Sequence, residues 1–414
     1  MNLLISKGNL VCEQLKGQVA IVTGGGGGIG YETCRALIWL GVTVIIAEIN
    51  KKIGKSAEKT LNEEFREQKA HFIHCDISKE KDVRRLYKKV INSHGKVDIL
   101  INNATVAPMG AVDQVGIKNW DLSYRVNLRG PVLLVTCVLN DMLKRDSGVI
   151  VMVPSSGAAP YMGAYEVFKT AQIELSNTLA GELEDSNVIT YSIGPGIVKT
   201  ETAHKAIEQV APLYNKTVAE FYRMSEDHLL TVEQAGAGFA ASIVLKEKYR
   251  GLEIGSVQAL VDAGITIKSQ SEDQLITLSD ENKRILTPSF NKIQDTYCEQ
   301  IGDWKNRPIF ERQWLIRDFK KTMGTNPEEI RETLKSIHNT IDAGLISKDE
   351  FIVIHKIKSY YLHQLDLLKG YAKSPEILKE HSQIIERWIE DIELFNKEFT
   401  TIIEEQSNSK SDLI

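Results

Sequence analysis

Up to about Ala263 short β-branched runs alternate with stretches of helical periodicity, so that QVAIVTG, VTVIIAE, HFIHCD, VDILINN, GVIVMV, NVITYSI and VQALVD each read as a strand. Strands separated by helical patterns make βαβ units, and a series of such units closes on one parallel sheet. The pattern predicts an α/β fold: a doubly wound parallel sheet of Rossmann type over residues 1–268, followed by an all-α domain over 269–414.

Beyond Ile267 no further strands are expected. Asn326-Pro327-Glu328-Glu329 offers a cap, a proline at the first helical position and acids in the first turn, and Ser374-Pro375-Glu376 repeats the device. Between them Ile330, Leu334, Ile337 and Ile341 mark one helical face. Gly344 suits a left-handed terminus, and Ser347-Lys348-Asp349-Glu350 reads as a capping box for the next helix. In the last helix Ile385, Trp388, Ile392, Phe395, Phe399 and Ile402 alternate three and four apart. That face either packs inside its own bundle or forms a short coiled-coil seam with another subunit.

A chain of 414 residues with 43% hydrophobic content can bury a sizeable core. Its net charge of −5 is spread among interspersed acids and bases, with no electrostatic footprint for nucleic acid or an anionic membrane, which leaves small-molecule chemistry. Cys12, Cys34, Cys75, Cys137 and Cys298 are odd in number and widely spaced, as in a reducing cytoplasm. The N-terminus MNLLISKGNL lacks a long apolar core, and the apolar stretch Ala36–Ile49 is interrupted by Gly41 and Thr43, so neither a signal peptide nor a transmembrane helix is expected. The histidines show no HExxH-type spacing; His355 and His363 read as surface or packing residues, and no catalytic metal is expected.

The run Thr23-Gly24-Gly25-Gly26-Gly27-Gly28-Ile29-Gly30 follows a strand and opens a helix near Tyr31. Glycines there let the backbone approach a pyrophosphate, and a helix N-terminus offers unpaired N–H groups and a favourable dipole. Five consecutive glycines satisfy two dinucleotide spacings at once, so the run alone is equally a flexible loop. The next strand ends in Glu48, where an acid normally holds the adenosine ribose hydroxyls and repels a 2′-phosphate, so NAD is favoured over NADP. Lys51 and Lys52 are either solvated at a helix start or able to fold back toward a phosphate.

Across Leu15 to Ala263 these motifs resemble the short-chain dehydrogenase/reductase family. Thr23-Gly24 with Gly28-Ile29-Gly30 matches its cofactor motif, Asp76 with Ile77 its adenine-contacting acid, and Asn102-Asn103-Ala104 its NNAG strand end. Asn127 matches its catalytic asparagine and Tyr165-x-x-x-Lys169 its active-site pair. Pro195-Gly196-Ile197-Val198-x-Thr200 matches the loop beside the nicotinamide. The stretch LKSIHNTIDAGLISKDEF is also similar to the short C-terminal hairpin called the SHOCT domain, which implies no function here.

The resemblance implies reversible hydride transfer between NAD(H) and a secondary alcohol or ketone. Tyr165 would act as acid/base and Asn127 would support a water relay, with Lys169 binding the nicotinamide ribose and tuning the tyrosine. On a helix Tyr165 and Lys169 share a face, and an ammonium ~5 Å away lowers a phenol by roughly two pH units. The family's serine usually lies about thirteen residues before the tyrosine, whereas Ser155 and Ser156 lie ten and nine before Tyr165, so either is a candidate, with Ser155 favoured. Thr105 stands where the family has glycine and is expected to crowd the cofactor. The partly apolar segment from Glu201 to about Leu230 reads as a helical lid that suggests an apolar substrate. The resemblance also implies a homo-oligomer, a dimer or tetramer. The rival reading is a nucleotide-binding scaffold or sensor that uses its helical extension to hold a partner.

Overall fold

The structure, a computed structural model, describes residues 3–155, 159–223, 229–266, 276–307, 315–316, 319, 323, 327–346, 348–372 and 379–409. The chain divides into two compact units, Met1–Gln270 and Ser271–Ile414.

In the first unit β1 (Val19–Thr23), α1 (Gly28–Trp39), β2 (Thr43–Glu48), α2 (Lys51–Phe65), β3 (Ala70–His74), α3 (Glu80–His94) and β4 (Ile99–Asn102) follow one another. Then come α4 (Ile117–Ser123), a π turn (Tyr124–Arg129), α5 (Gly130–Lys144), β5 (Gly148–Met152), α6 (Gly163–Glu182) and β6 (Val188–Gly194). The short strands β7 (Ile197–Val198) and β8 (Leu229–Leu230) bracket α7 (Glu201–Val210) and α8 (Val218–Arg223). Helix α9 (Val232–Val244), the short helix α10 (Lys246–Tyr249), β9 (Glu253–Gly255) and α11 (Ser256–Asp262) complete the unit. The seven-stranded sheet has the order β3-β2-β1-β4-β5-β6-β9, all parallel.

Strands covered on both faces need unbroken apolar runs, which explains why the sequence shows runs rather than alternation. Within β1, Ala20 and Val22 face Leu37 of α1 and Phe239 and Ile243 of α9, whereas Val19 and Ile21 face Val83 and Leu86 of α3 and Leu134 and Val138 of α5. Burying each large side chain contributes roughly 1.5–3 kcal/mol. The strand order reverses between β1 and β4, so their carboxyl ends open the crevice where ligands bind in doubly wound sheets.

Two expectations are corrected. VQALVD is a helix, not a strand: β9 ends at Gly255, and the burial of Ser256, Ala259, Leu260 and Ala263 against exposed Val257 and Val261 has helical period. Strands also do not stop at Ile267, because Ile276–Thr277 pairs antiparallel with Leu345–Ile346. Helix α1 starts at Gly28, one turn earlier than Tyr31. The continuous helical run Ile117–Lys144 is long and apolar enough to cross a membrane by length and composition, and here Val126, Leu134, Val135, Val138 and Met142 from it line the core.

The second unit packs the helices Asp280–Lys305, Pro327–Ala343, Lys348–Ala372 and Lys379–Ser409 around Leu286, Phe290, Ile337, Ile354, Tyr361 and Phe395. Gly344 takes φ +77°, the left-handed stop that ends one helix before the next. Ile392, Phe395 and Phe399 are buried in this unit's own core, so that part of the last apolar face packs within the chain; the side chain of Ile402 lies outside the described residues. The caps at Asn326, Ser347 and Ser374-Pro375-Glu376 likewise lie outside the described residues. His355 is exposed, and the side chain of His363 is not among those described.

Candidate active site

The glycine loop turns directly off β1. Gly24 (φ +64°) and Gly28 (φ +52°) take left-handed backbone, and a Cβ on Gly30 would lie 2.3 Å from the Gly24 carbonyl oxygen. Loop and helix start therefore close on each other so tightly that only glycine fits at these positions. Gly27, ahead of α1, is extended and supplies no side-chain cap, which leaves the first N–H groups of the helix without a protein side chain. Such a cradle fits a pyrophosphate.

Acids stand beside it. A Cβ on Gly26 would lie 3.1 Å from Glu48 Oε2, so the carboxylate borders the loop, while Glu48 Oε1 accepts the Asn50 N–H at 2.9 Å. Lys51 and Lys52 are exposed. Asp76 Oδ1 accepts the Ser78 N–H and Oγ–H at 3.1 and 2.6 Å, and Lys79 Nζ sits 3.0 Å from Oδ2. Burial raises this carboxyl, but the Ser78 bonds and Lys79 outweigh it and hold it below its ordinary range. The Ile77 side chain is buried against Gly130.

At the end of β4 the Asn103 amide donates to the Thr23 carbonyl at 2.9 Å, and the Ala104 N–H donates to Thr23 Oγ1 at 2.9 Å. Thr23 is fully buried and ties the two strand ends across the crevice. Asn127 lies in the π turn, a backbone irregularity that tends to mark functional sites. Its Oδ1 accepts the Thr105 hydroxyl (2.9 Å) and the Val106 N–H (3.1 Å); its Nδ2 donates to the Val106 carbonyl (2.8 Å) and Ser123 Oγ (2.9 Å). Thr105 thus turns its hydroxyl toward Asn127, with the Val106 carbonyl 3.4 Å away.

Helix α6 carries a polar stripe on its inward face: Lys169, Gln172 and Ser176 are all buried, and Tyr165 lies one turn before Lys169. Gln172 donates to the Asn127 main-chain carbonyl and accepts the Val153 N–H at 3.2 Å, joining the π turn to the end of β5. Burial raises the Tyr165 phenol above its ordinary range, while hydrogen bonding with the Ser155 and Thr105 hydroxyls draws it down and the nearby Glu166 carboxylate adds to the rise. Burial also pushes the Lys169 ammonium down, to about 7. Desolvation thus opposes the simple picture in which Lys169 lowers Tyr165, because both groups are held toward their neutral forms.

Thr105 is hydrogen-bonded to Asn127, and Gln172 ties the Asn127 main chain to helix α6, which carries Tyr165 and Lys169 one turn apart. Ser156 lies outside the described residues. Gly196 (φ +75°) turns the loop after β6, with Pro195 half-buried and Ile197 exposed, and a Cβ on Gly28 would lie 3.4 Å from Thr200 Cγ2. The loop therefore reaches the glycine cradle. Thr200 also caps α7, its Oγ1 accepting the Ala203 N–H at 3.1 Å. The expected lid is α7, a 3-10 turn and α8, with residues 224–228 outside the described set. Tyr214 stacks edge-on with Tyr161 and Phe221 and donates to the Pro160 carbonyl at 2.9 Å. Thr105's hydroxyl, Ser123 and Gln172 are the residues that sequence reasoning missed; only Gln172 left a signal, as a polar residue seven beyond Tyr165 on the same helical face.

Comparison with known proteins points the same way. The family profile described as short chain dehydrogenase matches residues 18–211. An uncharacterized oxidoreductase of Thermotoga maritima is 33% identical over 189 residues, 45% of this chain and 73% of that protein. The Bos taurus protein called dehydrogenase/reductase SDR family member 4 is 36% identical over 190 residues, 45% of this chain and 67% of its own. Among solved structures, an NAD+-bound xylitol dehydrogenase (23% identity, TM-score 0.54) covers 58% of this chain and 97% of its own. An actinorhodin polyketide ketoreductase with NADPH (23% identity, TM-score 0.55) covers 59% and 97%; both share the fold. From the glycine cradle to Tyr165 and Lys169, and by kinship across most of these relatives' length, this chain belongs to the short-chain dehydrogenase/reductase family.

Proposed function

We propose that the protein is an NAD-dependent oxidoreductase that interconverts an apolar secondary alcohol and its ketone. The observation that carries this reading is the placing of Tyr165 and the buried Lys169 one turn apart on α6, the helix whose Gln172 bonds to the Asn127 main-chain carbonyl. A bound nicotinamide would donate the hydride to the carbonyl carbon, or accept it in the reverse direction. Ser155 orients the substrate oxygen and Tyr165 gives its phenolic proton to that oxygen, the resulting phenolate being reprotonated from solvent. Lys169 holds the ribose and supplies positive charge beside the phenolate; Asn127 fixes the floor of the site. Thr23, Gly24, Gly28, Ile29 and Gly30 hold the pyrophosphate, Asp76 and Ile77 the adenine, Asn103 and Ala104 the adjoining strand end, and Pro195, Gly196, Ile197 and Thr200 the nicotinamide side.

Preference for NAD rests on Glu48 bordering the loop, and an apolar substrate on the aromatic group Tyr161, Tyr214 and Phe221 beside α7 and α8. The proposed cytoplasmic setting rests on five free cysteines. Assembly as a homo-oligomer is supported by exposed Ile117, Val132, Leu143 and Val167 along α4 to α6. The experiment is turnover of NADH and NADPH against a panel of ketones and alcohols, followed by nicotinamide fluorescence. The unmodified protein is expected to turn over an apolar ketone and Tyr165→Phe to lose that activity while still binding NADH. Binding without turnover across the panel would favour the scaffold reading.

A further inference from the structure

Residues 159–161, which lead into the helix carrying Tyr165 and Lys169, are tied down from three directions. The Ala159 N–H donates to Glu166 Oε2 at 2.9 Å, the Pro160 carbonyl accepts the Tyr214 hydroxyl at 2.9 Å, and the Tyr161 carbonyl accepts the Gly110 N–H at 2.7 Å. The three partners belong to α6, to the turn between α7 and α8, and to the loop after β4. That loop also reaches the lid directly, the Met109 N–H donating to Gln209 Oε1 at 3.4 Å. Tyr161 stands at φ +68°, a left-handed backbone that a bulky residue keeps only where its surroundings over-determine it. Its ring meets Tyr214 edge-on with centroids 5.5 Å apart, and Tyr214 meets Phe221 at 5.7 Å.

Glu166 follows Tyr165 directly, is buried at 8% exposure, and pairs with no cation among the described residues. A carboxylate in such a place is kept at a cost to stability, which points to a use for the one bond it makes. We propose that Glu166 is a positioning residue for the substrate: through Ala159 it fixes residues 159–161, and through Tyr161 and Tyr214 it latches the α7–α8 lid to the loop after β4. The aromatic wall of Tyr161, Tyr214 and Phe221 then stands in place before an apolar substrate arrives, and no ordering of the lid has to be met from binding energy. The inference rests on the proposed reading of this crevice as the ketone site.

The test compares three variants of the full-length protein. Glu166→Gln removes the charge beside Tyr165 but keeps an oxygen for the Ala159 N–H, Glu166→Ala removes both, and Tyr214→Phe keeps the ring while losing the bond to Pro160. Amide hydrogen exchange at Gly110, in the ligand-free protein, reads the latch from the far side; KM and kcat for the best ketone of the panel are taken at each variant's pH optimum. With the fold checked by circular dichroism, Glu166→Ala and Tyr214→Phe should each speed Gly110 exchange and raise KM by about tenfold, the effect of one lost hydrogen bond. NADH affinity and kcat should stay within about threefold, and Glu166→Gln should behave like the unmodified protein. In the double variant the effects should not multiply, because both act through one segment. Unmoved Gly110 exchange in Glu166→Ala overturns the inference, as does a glutamine variant as impaired as alanine, or a fall in kcat or NADH affinity in place of the rise in KM. Should Glu166→Ala not fold, Tyr214→Phe decides: raised exchange upholds the latch and unmoved exchange overturns it. If the unmodified protein binds NADH and turns over nothing, the ketone reading fails, and Gly110 exchange alone then decides the latch.

Discussion

Burying an amine without an anionic partner should make Lys169 a cost to the folded protein when no ligand is bound. Its pKa falls from 10.5 to about 7, with burial as the cause, and its side chain is 2% exposed. At roughly 1.4 kcal/mol per pH unit, that drop corresponds to an upper bound of roughly 5 kcal/mol. Relaxation and water penetration reduce such penalties, so about 2–4 kcal/mol is a realistic share. Below pH 7 both folded and unfolded chains hold the proton, and the penalty is complete. Between pH 7 and about 10.5 the unfolded chain holds a proton that the folded chain has released, so stability rises with pH and the penalty fades. Lys169→Met, of similar length and without charge, should therefore stabilise the ligand-free protein most below pH 7. The midpoint of the transition of the first unit should rise by roughly 5–15 °C. Thermal unfolding of both proteins at about pH 6 and about pH 9 reads the margin and its decline. If Lys169→Met is no more stable at the lower pH, or its margin is the same at both, burial is not what shifts this lysine. The same variant should lose turnover, since active sites commonly trade stability for function.

Gly30→Ala places a Cβ 2.3 Å from a backbone oxygen that cannot move aside, so NADH affinity should fall by roughly 100-fold or more, equivalent to about 3 kcal/mol, in a fluorescence titration; an unchanged affinity would remove the cradle from the site. Glu48→Ala should narrow the gap between NADH and NADPH binding by relieving repulsion of a 2′-phosphate; tighter NADPH binding by the unmodified protein would defeat the reasoning. Truncation after Lys268 should leave NADH binding measurable while changing oligomer size or solubility, because each unit has its own core. Light scattering with a cofactor titration decides it, an unchanged oligomer with lost binding being the contrary result.

Much of the site was legible because its chemistry is local in the chain. A strand running into glycines, an acid ending the next strand and a Tyr-Lys pair one turn apart all follow from spacing. What was illegible depends on contacts between distant segments. The Thr105–Asn127 hydrogen bond was illegible because its partners are twenty-two residues apart in the chain. Gln172 left only the signal of a polar residue on the Tyr165 face, because nothing in sequence says that a helix will turn its polar stripe inward. VQALVD fits either period over six residues, and only the end of pairing at Gly255 decides for a helix. Tyr165 and Lys169 lie four apart on one helix, but spacing carries no information about burial, which governs their charge.

The π turn between α4 and α5 bears on how this protein can be altered. Gly130 N–H bonds to the Arg125 carbonyl five residues back, so the turn holds one residue more than an α-helix would. One surplus residue rotates everything after it by about 100° about the helix axis. The unbroken rod from Ile117 to Lys144 is therefore two registers joined end to end, one aiming Ser123 and Asn127 at the site and the other aiming Leu134, Val138 and Met142 at the sheet. Deleting any residue in Tyr124–Arg129 would preserve helicity yet force the two registers into one, and either the site or the core would lose its aim. Chain length in this turn, together with the identity of Asn127 within it, is what the candidate site depends on.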